Sequence, residues 1–383
     1  MSRRKIILGA ISLVVATIIL TSGAFIYLLH AYSGDAASTL RLFRAVQIIK
    51  SRYVENTSVE SLMTGAIRGM VSSLGDPHSI YMDPKMLKDF MVETEGSFGG
   101  VGIVLGAKEK VLTVISPIEG TPGEKAGIES GDSIIKINGQ DTKNMALDEA
   151  VSKIRGAEGT QVVLTILRGQ LVKDYTLIRS NIQIKTVSGK MLPDKIAYLR
   201  IAMFNEQTYN EFTKKYQELE QEGMKSIILD LRGNPGGMLD ASVKIANKFV
   251  PQGPVVSVIY RDGQRETSNS NLEAVKYPCV VLVDEGSASA SEIVAGAIQD
   301  TGAGTLVGTK TYGKGSVQTI LRLDGGAAMK LTIAKYYTPS GRSIHGTGIE
   351  PDVYVELPPK IEGKVIQDTQ MEKALEIIKS KMH

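Results

Sequence analysis

The chain has 383 residues, enough for two or three domains that each bury a core. A hydrophobic content of 43% with 22% charged residues is that of a globular protein and excludes wholesale disorder. Arg3, Arg4 and Lys5 carry the whole formal net charge of +3; the remainder is balanced, which excludes an electrostatic footprint for nucleic acid.

Residues 6–29, IILGAISLVVATIILTSGAFIYLL, are uncharged over 24 positions. At about 1.5 Å per residue such a run spans a hydrocarbon core of roughly 30 Å. It exceeds the roughly 7–15 apolar residues of a signal peptide, and no A-x-A cleavage pattern follows. The expectation is an uncleaved, single-pass anchor in the cell membrane. With SRRK ahead of it, the N-terminus faces the cytoplasm and the body lies on the extracytoplasmic side. Residues 1–34 are then stub, anchor and linker.

Residues 35–95 read as a helical segment. Phe43, Val46, Ile49 and Tyr53 recur at helical spacing, as do Val59, Leu62, Ala66 and Met70, before LGDPHSIYMDP breaks the pattern. Residues 96–180 are a β domain: GGVGIVLG, VLTVIS, SIIKING and TQVVLTILRG are short strand-like runs, Asn138-Gly139 is a turn, and ALDEAVSKI is helical. Over 181–360 strands alternate with helices, as in SIILDL before MLDASVKIANKFV, and two later strand-like runs lack helices, predicting a mixed α/β layer. Residues 361–383 end in an amphipathic helix. That helix and the 35–95 segment are candidate surfaces for a homodimer or higher oligomer. Cys279, the single cysteine, lies in an apolar run and reads as a buried small hydrophobe. No cluster has metal-ligand spacing, and neither metal nor organic cofactor is expected.

The stretch 280–300, VVLVDEGSASASEIVAGAIQD, leaves a strand and enters a helix through three serines spaced by alanine. A serine on such a turn projects its hydroxyl, helix N-terminal N–H groups face any developing anion, and small neighbours admit a substrate backbone. A capping serine is the plain explanation of the turn. Ser287 and Ser291 suit capping or turn roles, which leaves Ser289 for chemistry. Serine needs a base. The four histidines are His30, His78, His345 and His383, and only His345 is placed to be considered. Lys314, between two glycines in TYGKGSVQT, is the other option. Buried there, an amine falls from about 10.4 toward 7–8, a shift that packing must supply at roughly 4 kcal/mol. Gln318, four residues on in a strand-like run, would share its face and orient it without charge. GTKTYGKGS nearly matches a phosphate-binding loop, but Gly315 stands where Ser or Thr must hold magnesium and a strand pattern follows. LDLRGNPGG ends a second strand in a glycine turn; an N–H of Gly236 or Gly237 with that of Ala290 would cradle an oxyanion.

With these residues in view, the chain resembles the carboxyl-terminal processing peptidases of the tail-specific serine protease family. The motifs carrying the resemblance run in order: GSFGGVGI, GIESGDSIIKING, LDLRGNPGG, GSASASEIVAGA, GTKTYGKGSVQ and YYTPSGRSIHGTGIEPD. The resemblance implies Ser289 as nucleophile, Lys314 as general base and Gln318 as its partner, with Ala290 and one of Gly236 and Gly237 forming the oxyanion hole. It implies an α+β multidomain chain whose core is of the layered β-β-α, ClpP/crotonase-like kind. It also implies that 96–180 is a PDZ-like domain in which Gly99, Gly100, Val101, Gly102 and Ile103 receive the carboxylate of an apolar substrate tail. Such modules gate the catalytic site in this family, and Arg155 is a candidate for that coupling or simply a solvated helix-end charge. SLGDPHS carries one glycine more than the commoner family form. The expected function is a membrane-anchored serine endopeptidase cleaving proteins near their C-termini; the alternatives are a non-catalytic PDZ-type scaffold and, disfavoured by Gly315, a nucleotide hydrolase. The need for an adaptor is left open.

Overall fold

The computed structural model describes residues 3–108, 111–143, 145–358 and 367–382. The chain divides after Tyr81 into two compact units.

In the first unit the uncharged run forms helix α1 (Arg3–Ser33), within which Ile11–Leu28 is long and apolar enough to cross a membrane. Helix α2 (Ala36–Arg52) starts where Asp35 accepts a bond from Ala37 N, and α3 (Val59–Ser72) where Ser58 accepts from Ser61 N. The strand β1 (Ile80–Met82) leads to α4 (Pro84–Glu95) in the second unit, capped by Asp83 with Pro84 in its first turn.

The β-rich region comprises β2 (Ser97–Gly100), β3 (Ile103–Lys108), β4 (Val111–Pro117), α5 (Pro122–Lys125), β5 (Ser133–Ile137), β6 (Gln140–Asp141), α6 (Leu147–Ile154), β7 (Gln161–Arg168), β8 (Leu171–Ile178) and β9 (Ser180–Gln183). Strands β3, β4, β5, β7 and β8 form one antiparallel sheet, and β2 pairs with β9. Val114, Ile134, Val162 and Leu164 alternate inward onto Ala150 and Ile154 of α6. Two arginines that show no pattern in the sequence hold this module. Arg168 grips buried Asp132 at 2.6 and 2.8 Å, and this bond keeps the carboxyl below its ordinary range. Arg179 donates to the carbonyls of Lys153, Ile154 and Gln161, so the end of α6 is satisfied by a buried guanidinium.

The core contains β10 (Val187–Leu192), β11 (Ile196–Ile201), α7 (Thr208–Gln221), β12 (Ser226–Asp230), α8 (Leu239–Ala246), β13 (Gly253–Tyr260), β14 (Arg265–Ser270), β15 (Cys279–Val283), α9 (Ala290–Asp300), β16 (Thr305–Gly308), β17 (Ser316–Arg322), β18 (Ala328–Tyr337), β19 (Val353–Tyr354) and α10 (Thr369–Ser380). One sheet runs β10-β11-β12-β15-β16-β19 and is parallel except at β10; strands β14, β13, β18 and β17 form an antiparallel layer. β12 and β15 are buried along their whole length, because both faces are covered. Leu229, Val281 and Val283 face helices α7–α9, while Ile228, Val280 and Leu282 face Ala374 and Ile378 of α10. Cys279 lies in this core, where burial pushes its thiol up to about 12.

The end of β12 is tied to the end of the chain. Arg232 bridges Asp230 (2.8 Å) and Asp368 (2.8 Å), and Asp368 also caps α10 by accepting from Met371 N (2.9 Å). Burial alone favours the neutral form of Asp368, but Arg232 and the Met371 N–H outweigh it and hold the carboxyl below its ordinary value. A lowered folded pKa contributes stability above the unfolded value and loses it as pH falls through the folded value. Amide-exchange protection of α10 is therefore expected to stay level from about pH 5 to 8 and to fall below about pH 4. In an Asp368→Asn chain it is expected to be low at neutral pH already.

Candidate active site

Two turns meet beside one cavity. The first follows β15. Asp284 N donates to Ser287 Oγ (3.0 Å), and Ser287 Oγ donates to Leu231 O (2.9 Å). Ser291 Oγ donates to Asn234 O (2.9 Å). The outer two serines therefore fasten the β15–α9 turn to the β12–α8 turn, and both are fully buried. Ser289, between them, has φ 54° and ψ −113°, a region that belongs to glycine. Holding a serine there costs about 1–3 kcal/mol and persists only where the surroundings impose it.

The second turn is 233–237. Gly236 has φ +97°, and a Cβ there would lie 2.6 Å from Ala288 O and 2.7 Å from Ser289 Cβ; only glycine lets the two turns touch. Gly237 has φ +135°, and its Cβ would sit 1.9 Å from Phe204 O. The two glycines are not equivalent. Gly236 is buried and its N–H donates to Asn234 Oδ1 at 2.9 Å. Gly237 is exposed to the cavity, and among the described residues neither its N–H nor that of Ala290 at the start of α9 donates a hydrogen bond.

Ser289, Ala290, Gly236, Gly237, Lys314 and Gln318 all line a cavity of about 490 Å³, together with Tyr336. Ser289, Lys314 and Gln318 are each half-buried. The expected reason for grouping the last two needs correction. Lys314 lies in irregular chain before β17, which starts at Ser316, and the β17–β18 register shifts between Val317 and Gln318. Strand periodicity therefore does not put Lys314 and Gln318 on one face; the cavity collects them through the bulge. The Gln318 amide nitrogen donates to Ser316 Oγ (2.9 Å) and Thr332 Oγ1 (3.2 Å). His345 is exposed and does not line the cavity, His30 and His78 belong to the N-terminal unit, and His383 lies outside the described residues. Among the described residues no group of His, Cys, Asp or Glu is arranged to hold a metal ion.

Sequence reading missed three contributors. Helix α4, grouped with the N-terminal helical segment, places Phe90, Glu93 and Thr94 in the cavity wall, with Lys330 Nζ 5.2 Å from the Phe90 ring centroid. Its C-terminus is docked on the core: Ile184 N donates to Gly96 O (2.7 Å) and Glu206 N to Thr94 O (3.1 Å). Glu292 and Tyr336 connect the Ser289 turn to the segment that carries Lys314. The S-x-x-E spacing of Ser289 and Glu292, a capping box, was the available signal for the former.

In the β domain, Gly102 has φ +71° and a Cβ there would lie 2.2 Å from Thr121 Cβ. The carbonyls of Gly99, Val101 and Gly102 accept from Gly156, Gly123 and Ile118 N–H, which fixes the 99–103 loop. The Arg155 guanidinium stacks 4.2 Å from the Phe98 ring centroid, and Arg155 and Gly99 line a second cavity of about 960 Å³ shared with α4.

This fold and site are those of a serine peptidase carrying a PDZ domain. Residues 195–355 match Peptidase family S41, residues 89–167 match the PDZ domain and residues 30–86 match the Activating protease CtpB N-terminal domain. The chain is 41% identical over 331 residues to the Carboxy-terminal processing protease CtpA of Bacillus subtilis, covering 86% of this chain and 71% of that protein. It is 41% identical over 329 residues to the Carboxy-terminal-processing protease of Bartonella bacilliformis, covering 82% and 75%. Among solved structures, the photosystem II D1 C-terminal processing protease aligns with a TM-score of 0.50 at 30% identity, covering 85% of this chain and 94% of that one. The chain belongs to the carboxy-terminal processing serine peptidases of family S41.

Proposed function

We propose that this peptidase works by a Ser/Lys mechanism with Ser289 as nucleophile, Lys314 as base and Gln318 as the lysine's partner. The observation that carries the reading is the convergence of Ser289, Lys314 and two undonated backbone N–H groups on one cavity. Lys314, neutral, takes the Ser289 hydroxyl proton as Oγ attacks the peptide carbonyl. The oxyanion forms against the N–H groups of Gly237 and Ala290; Gly236, whose N–H is already committed to Asn234, acts by letting the turns approach. The Lys314 ammonium then protonates the leaving amine, and water, activated by the same amine, releases the acyl group. With both Gln318 N–H donors on Ser316 and Thr332, its carbonyl oxygen is the atom left to accept from the lysine.

The domains take the roles expected of 1–34, 35–95, 96–180, 181–360 and 361–383, and the core is of the layered ClpP/crotonase-like kind. α1 anchors the chain in the cell membrane, with the peptidase outside the cytoplasm. α2 buries none of its residues and exposes Leu40, Phe43 and Ile49, which suits pairing with a second copy. The 99–103 loop receives the free carboxylate of an apolar substrate tail, and Arg155, stacked on Phe98 beside α4, couples tail binding to the catalytic cavity.

The test is cleavage of an unstructured peptide with an apolar C-terminal tail, offered as free acid and as amide. The amide cannot supply the charged acceptor, so its KM is expected to rise about tenfold or more at similar kcat. Equal KM for the two peptides overturns the tail-binding role, and no cleavage of either overturns the enzymatic one.

A further inference from the structure

Ser289 and Lys314 stand 25 residues apart on separate segments, and two side chains join them. Glu292 is fully buried. Its Oε1 accepts from Thr311 Oγ1 (2.6 Å) and Gly313 N (2.8 Å), and its Oε2 from Ser289 N (2.8 Å) and Lys314 N (2.8 Å). Thr311 Oγ1 itself accepts from Ile349 N (2.7 Å), so its proton is directed at Glu292. Glu292 thus receives four donors and returns none, the bonding of a carboxylate. From β18, the Tyr336 hydroxyl faces the carbonyl oxygens of Ser289 (3.0 Å) and Lys314. The N–H groups of the two residues therefore converge on one carboxylate and their carbonyls on one hydroxyl.

We infer that Glu292 and Tyr336 are positioning residues, a two-sided clamp that sets the approach of the Ser289 hydroxyl to the Lys314 amine, an inference resting on the Ser/Lys chemistry proposed above. A helix cap explains only the bond to Ser289 N. The bonds to Thr311, Gly313 and Lys314 reach a different segment and add nothing to capping. Proton transfer needs oxygen and nitrogen within about 2.6–3.2 Å, and an error of about 1 Å costs about 100-fold in rate. The clamp also supplies the constraint that the φ and ψ of Ser289 require. Burial and the Glu292 charge push the Tyr336 hydroxyl well above its ordinary value, which keeps it protonated as a donor to the carbonyls.

Glu292→Gln, Glu292→Asp and Tyr336→Phe are made in the full chain, beside Ser289→Ala and Lys314→Ala. Steady-state cleavage of a free-acid peptide is measured, with amide exchange at Ser289, Gly313 and Lys314. Glutamine turns an N–H toward one pair of donors, and aspartate keeps the charge but lacks the reach. Both are expected to lower kcat about 100-fold with KM within about twofold, and Tyr336→Phe about tenfold. Amide protection at the three positions falls in both Glu292 variants. Recovery of activity by aspartate, wild-type kcat in Glu292→Gln, or a kcat loss with protection intact overturns the clamp. If the Glu292 variants do not fold, Tyr336→Phe, which keeps the ring, decides by the same kcat and exchange criteria. Cleavage surviving in Ser289→Ala rejects the Ser/Lys chemistry alone, because exchange still reports whether the bridge exists.

Discussion

Ser289→Ala and Lys314→Ala each lower peptide cleavage by about 10,000-fold or more, while the protein melts within a few degrees of the parent. Alanine retains the Cβ that makes φ 54° unfavourable, so Ser289→Ala neither relieves nor adds backbone strain. Ser289→Gly is equally inactive but more stable by about 1 kcal/mol, since glycine adopts this conformation freely. Lys314→Arg is also inactive, because a guanidinium keeps its proton and cannot accept the serine's. Single-turnover cleavage with thermal melts on the same preparations measures all four. Cleavage by purified Ser289→Ala at more than a few per cent of the parent rate removes the nucleophile assignment.

Gly237→Ala produces the second large loss. Its Cβ would collide with Phe204 O at 1.9 Å, and φ +135° is closed to alanine, so the 233–237 turn must move. Moving it displaces one of the two N–H groups assigned to the oxyanion, and removing one such donor costs about 100–1,000-fold in kcat. Gly253→Ala is the control: its φ is +142° but its Cβ would meet nothing within 4 Å. Both variants lose stability from the backbone, but only Gly237→Ala is expected to lose turnover in the fraction that remains folded. Equal specific activity of the two variants removes Gly237 from the oxyanion site.

What could be read from the sequence follows the range of the physics involved. Strand–turn–helix junctions are local, so GSASAS and RGNPGG by themselves point to Ser289, Ala290 and the glycine pair, which all line the cavity. That the Gly236 N–H is committed and the Gly237 N–H is not could not be read, because it depends on where the Asn234 side chain turns back. Lys314 stands out by its glycine setting and lines the cavity, but a strand period cannot relate it to Gln318 because a bulge interrupts the strand. Phe90 and Tyr336 gave no signal at all. Each reaches the cavity from a distant segment, and apolar or aromatic residues at such positions look like ordinary core. Arg232 and Asp368 meet across 136 residues, a pairing that no spacing rule anticipates.

That last pairing makes α10 a brace for turns it does not touch. Without α10 docked, Ile228, Val280 and Leu282 are wet on that face and Arg232 keeps Asp230 but loses Asp368. The segment leading into the 233–237 turn is then unbraced, and the nucleophile turn fastened to it shares that looseness. Lifting α10 from the sheet would therefore be felt at the Ser289 turn as lost order, with every residue that lines the cavity unchanged.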